Sequence, residues 1–204
     1  MKTNNRLPTS TDLMQIFWSI IDRWHEQESI LTTLDAAEQV LTPQFSNWGA
    51  LVEHIQLINT YQWHMEDRSR ANANDKILTE VKRAIDNSNS RRIKAIETLD
   101  AYLLGALKEV GLPVSSAPLH SESPALIIDR MTILALKIYH LKNDLADVAG
   151  TMNEDFINIQ LLNITEQFED LANCLDRLFD DIAAGKTSIK MYRQIKIYDK
   201  ELSD

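Results

Sequence analysis

Turn residues are scarce: 204 residues carry only five glycines and five prolines, about 5% together, where an average protein has roughly 12%. That scarcity disfavours a many-stranded β protein and favours long uninterrupted helices. One cysteine, Cys174, excludes an internal disulfide and fits a reducing compartment. Basic residues are outnumbered, 21 Lys and Arg against 30 Asp and Glu, for a net charge of −9. An acidic chain is poorly suited to neutralising phosphates, so nucleic acid is not an expected partner. No window reaches the roughly 18–20 apolar residues of a membrane span, which argues against membrane insertion. The first apolar stretch, 13–21, is short, includes Gln15 and Ser19, and lacks a signal-peptide cleavage pattern. A cytoplasmic location is therefore expected. What is present is a 44% hydrophobic content, too high for a disordered chain and enough for one sizeable core.

The periodicity predicts an all-α protein, a single domain over 1–204. We expect an up-and-down bundle of about five long antiparallel helices with an ordered C-terminal arm. The first helix starts near Ser10 or Thr11 and carries Leu13, Ile16, Phe17, Ile20, Ile21 and Trp24 at helical spacing. Segment 30–42, before Pro43, has room for a short separate helix. The second long helix follows Ser46 and runs to about Arg70, and the third runs from Asn74 or Asp75 to Val110, with Gly111 as its stop. The Pro/Ser-rich loop 111–123 joins the two halves. Ser123 and Pro124 form a cap and first position for the fourth helix, which ends by Gly150. The fifth runs from about Asn153 to Ala184. Its stripe from Ile157 to Ile182 alternates steps of four and three, the pattern of a bundle seam, and it leaves room for a homodimer.

Polar residues interrupt this pattern in three places. Trp63, Asp67 and Arg70 share one face of the second helix, with His64 and Glu66 beside it. On the third helix Lys82, Asp86 and Asn89 share a face, while Arg92 falls in the middle of the apolar set Val81, Ile85, Leu99 and Leu103. An arginine there needs a partner or a route to water. The fourth helix is apolar on two sides, as in a central helix, so Asp129, Arg130, Lys137 and His140 are expected at least partly inside. If the second and third helices pack antiparallel, Asp67 or Glu66 is placed to meet Lys82 or Asp86. The bland alternative is a solvated face, where acid–base pairs one turn apart contribute about 0.2–0.5 kcal/mol each. A buried structural ion network is the other. A histidine such as His64, next to Trp63, is more often a satisfied histidine than a ligand.

Standard chemical motifs are missing. There is no Glu-x-x-His, His-Glu-x-x-His, Cys-x-x-Cys, glycine-rich phosphate loop or Gly-x-Ser-x-Gly. No metal and no cofactor is therefore called for, although His64 and Asp67 have the spacing of a weak chelate. Trp63, Arg70, Lys82 and Arg92 suit an anion better, since arginine forks bind carboxylate or phosphate and an indole stacks.

Four stretches carry a family resemblance: Trp-His-Met-Glu-Asp-Arg-Ser-Arg (63–70), Lys-Arg-Ala-Ile-Asp-Asn-Ser-Asn-Ser-Arg-Arg (82–92), the Ser/Pro-led helix 121–140, and Met-Tyr-Arg-Gln-Ile-Lys-Ile-Tyr-Asp (191–199). In these the chain resembles a bacterial family catalogued as domain of unknown function 4254. It departs from the family pattern at Ser69, Ala125, Ile93, Lys94 and Asp199. The resemblance implies a helical cytosolic protein, linked to envelope glycan assembly, and no reaction. It adds Tyr192, Lys196 and Tyr198 to the candidates. Two functions stay open at this point. One is a binding or accessory protein with an unidentified protein partner. The other is a small enzyme or ligand-binding bundle for an anionic, phosphorylated molecule, with Asp67, Asp86, Asp129 or His140 as catalytic candidates. In that reading Trp63, His64, Glu66, Arg70, Lys82, Asn89, Arg92, Arg130, Lys137 and the C-terminal trio bind the ligand.

Overall fold

The computed structural model of the chain describes residues 6–71, 74–147, 149–150 and 153–193. The described residues form six α-helices, α1 (Ser10–Gln27), α2 (Leu34–Val40), α3 (Trp48–Arg70), α4 (Asp75–Glu109), α5 (Pro124–Asp147) and α6 (Glu154–Ala183), with a 3-10 turn at Glu28–Ile30. Five are long, and α2 lies inside the stretch expected to hold a short helix. The helix count is thus six rather than five.

Local chemistry explains the boundaries. Thr9 and Asp12 form a capping box that starts α1. Asn74 caps α4, its side chain accepting from the amides of Lys76 and Ile77. α4 ends where Gly111 takes φ 77°, a left-handed conformation that glycine adopts without steric cost. The start of α5 is held from outside, because the Asp100 carboxylate of α4 accepts from Ser123 Oγ and from the Ala125 amide. The α2–α3 connection is held by Glu53, only 2% exposed. Its carboxylate accepts from the amides of Gln44 and Phe45 and from Arg23.

The apolar stripe of α1 is buried throughout, from Leu13 to Trp24, and each such side chain contributes roughly 1.5–3 kcal/mol on burial. α3 packs on α1 and α4, and α5 packs on α1, α3, α4 and α6. That central position is why α5 is apolar on two sides. Phe168, Leu175, Leu178 and Ile182 of the α6 seam are buried, so this part of the seam is used within the chain. Beyond α6 the arm lies along the 111–123 loop: Ser188 donates to Pro118 and accepts from His120, and Ile189 is buried. Lys196 and Tyr198 lie outside the described residues. No described helix is long and apolar enough to cross a membrane.

Candidate functional site

The two misplaced charges answer each other. Arg92 on α4 donates through Nε to Asp129 Oδ1 at 2.8 Å and through Nη2 to Oδ2 at 2.7 Å. Asp129 is 3% exposed, and the Arg92 side chain 26%. Asn59 Nδ2 adds a bond to Asp129 Oδ1 at 2.9 Å and one to Thr132 Oγ1 at 2.7 Å. Thr132 in turn donates to the Asp129 carbonyl oxygen. The two-bond fork and the Asn59 bond offset the cost of burying the carboxylate. They also lock the guanidinium in one orientation.

Arg92 borders a cleft of about 420 Å³ between α3, α4 and α5. Trp63, Glu66, Arg70 and Asn89 line the same cleft, so five of the sequence candidates do converge. Trp63 also borders a second cleft, about 460 Å³, together with Lys137, His140 and Asp144 of α5 and Gln160, Asn163 and Gln167 of α6. Its indole stacks on the His140 imidazole, centroids 4.7 Å apart and planes 4° apart.

Other expectations are corrected. Asp67 pairs with Arg70 at 3.0 Å and Lys82 with Asp86 at 2.6 Å, each within its own helix and on the surface. Across the interface Glu66 acts on Lys82 through space, adding to the larger effect of the Asp86 hydrogen bond in raising its pKa, while the direct ion pairs form within each helix, where a partner one turn away costs less entropy. Arg130 is exposed rather than inside; it pairs with Glu122 and borders a different cleft, beside Cys174. Tyr192 is 74% exposed and lines a third pocket with Asp100, Lys190 and Arg193, so the described arm does not close the Arg92 cleft.

The larger surprise lies at the other face of Trp63. His25 of α1, His64 of α3 and His140 of α5 each present one ring nitrogen within 4.8 Å of the other two. His25 Nδ1 donates to the Ile21 carbonyl at 2.7 Å, and His64 Nδ1 lies 3.1 Å from Glu28 Oε1. The rings are wedged among aromatics: Trp24 stacks on His64 at 5.4 Å and Tyr139 on His25 at 4.3 Å. Burial above all, then the neighbouring histidines, lowers the pKa of His140 to about 4. Burial likewise depresses that of His64, against the pull of Glu28. Both rings are therefore neutral at pH 7. His64 and His140 are among the sequence candidates; His25 is not. A signal was present: each of the three directly follows a helical aromatic, Trp24, Trp63 and Tyr139, whereas His54 and His120 do not.

A family model described as a protein of unknown function (DUF4254) matches residues 49–191. The chain belongs to that family. The matched span covers α3 to α6 and both clefts beside Trp63, while α1, with His25, precedes it. No curated protein and no solved structure matches the chain.

Proposed function

We propose that the chain is a binding protein whose α3–α4–α5 cleft receives an anionic small molecule. The observation that carries this reading is the state of Arg92. Asp129 occupies its Nε–Nη2 edge, and no hydrogen bond to Nη1 is found among the described residues. A guanidinium held rigid at a cleft wall loses little entropy on meeting a phosphate or carboxylate. Arg70, paired with Asp67 at 3.0 Å, adds a second guanidinium, Asn89 a neutral hydrogen-bonding group and Trp63 a flat apolar wall, beside the Glu66 carboxylate in the same cleft. Binding is favoured over turnover, because Asp67 and Asp86 sit in surface pairs and Asp129 is held by Arg92 and Asn59. The envelope glycan link that the family resemblance implies makes sugar phosphates and sugar nucleotides the first anions to try.

The test is a thermal-shift screen of the purified chain against those compounds, other nucleotides and inorganic phosphate. Saturation at about 100 Kd stabilises the fold by roughly 2.7 kcal/mol. Asn89→Asp and Arg70→Glu change exposed residues and place negative charge in the cleft. The proposal expects a shift with at least one anion that both variants abolish. A flat panel, or a shift unchanged in both variants, overturns it and turns the search to protein partners.

A further inference from the structure

Six buried side-chain polar atoms have no hydrogen-bond partner among the described residues, and three of them are the Nε2 atoms of His25, His64 and His140. Leaving a buried polar atom unpaired costs the full desolvation of that atom. Three such atoms, on rings from three different helices that bring one nitrogen each within 4.8 Å of the others, call for a shared partner. We propose that His25, His64 and His140 bind one divalent transition-metal ion through Nε2. This inference is independent of the anion cleft.

The geometry around the rings matches what a metal site requires. The Ile21 carbonyl accepts from His25 Nδ1, which leaves Nε2 as the lone-pair nitrogen of that ring, and the Glu28 carboxylate lies 3.1 Å from His64 Nδ1, where it favours the same tautomer. A metal-ligating histidine almost always has its other nitrogen held in this way. Glu28, Asp67 and Asp144 all interact electrostatically with the cluster and supply negative charge to balance a cation. His140 also lines the 460 Å³ cleft, a route for entry and a source of a fourth ligand. Nitrogens bound at about 2.0–2.1 Å to a tetrahedral ion lie roughly 3.3 Å apart. The present separations, within 4.8 Å, therefore ask for a modest closing of the rings. An all-imidazole donor set selects Zn²⁺, Co²⁺, Ni²⁺ or Cu²⁺ and discriminates against Mg²⁺ and Ca²⁺.

The experiment is calorimetric titration of the chelator-treated full chain with Zn²⁺, and with Mg²⁺ as control, alongside visible absorption of the Co²⁺ form. One Zn²⁺ per chain is expected, with no Mg²⁺ uptake and the Co²⁺ spectrum of a four-coordinate site. His25→Gln and His140→Gln abolish binding. His54→Gln and His120→Gln leave it intact. Glu28→Ala, which removes the acceptor beside His64 Nδ1, weakens it about 10–100-fold. The Glu28 side chain is 53% exposed, so this variant decides the matter even if a histidine variant fails to fold. Absence of stoichiometric Zn²⁺ binding overturns the proposal. So does binding that follows His54 or His120, or an affinity unchanged in Glu28→Ala.

Discussion

Replacing Arg92 with methionine isolates the contribution of the buried pair. Methionine keeps most of the apolar stem and removes both bonds to Asp129. The carboxylate, 3% exposed, is left with Asn59 as its remaining side-chain donor. Breaking a buried pair from one side costs about 3–5 kcal/mol. Arg92 is itself a quarter exposed, which places the loss near about 3 kcal/mol, a large share of the roughly 5–15 kcal/mol that holds a domain folded. With a urea m-value of about 2–3 kcal/mol/M, the unfolding midpoint falls by about 1–1.5 M. Equilibrium unfolding followed by far-UV circular dichroism reads this directly. Adding Asp129→Asn to the methionine variant removes the stranded charge and is expected to recover more than half of the loss. A single-variant cost below about 1 kcal/mol would make the pair no stronger than an exposed one. The view of Arg92 as a pre-organised anion ligand would then fail with it.

Two further outcomes follow from the same geometry. In chelator-treated protein, stability is expected to fall as pH drops from 6.5 toward 4. Over that window an unfolded histidine takes up a proton that folded His140 refuses until about pH 4, so the unfolded state binds more protons and stability rises with pH. Burial and the His25 and His64 rings oppose that proton, while Asp67 and Asp144 favour it. Melting curves should lose part of the slope in His140→Gln and more when His64, also depressed by burial, is replaced as well; a slope unchanged in both would place its origin in other groups. Separately, Glu53→Ala strips the acceptor from the Gln44 and Phe45 amides and from Arg23. At about 1–3 kcal/mol per stranded donor, a loss of about 3 kcal/mol in urea unfolding is expected. A loss below 1 kcal/mol would mean that water replaces the carboxylate.

The helices themselves were legible in the chain, because their determinants are local. Apolar spacing, Asn74 and Pro124 at helix starts, and Gly111 past a helix end act within a turn or two. Arg92 and Asp129 were legible as anomalies for the same reason, since each breaks its own helix's apolar face. Their pairing was not, because it depends on how far α4 slides along α5, a register that many side chains fix together. The same limit applies to Asp67 and Lys82, whose direct partners lie one turn away while Glu66 acts on Lys82 across the helix interface. Glu53 gave no local sign at all: its three donors come from a loop and from α1. His64 and His140 stood among the candidates and His25 did not, but nothing in the spacing along one helix shows that the three rings meet. Sequence alone therefore determined which segments are helical and which residues sit uneasily in them. Only the tertiary packing decided which of those residues meet, because lateral contact between helices is set by the whole core and not by the spacing along any one of them.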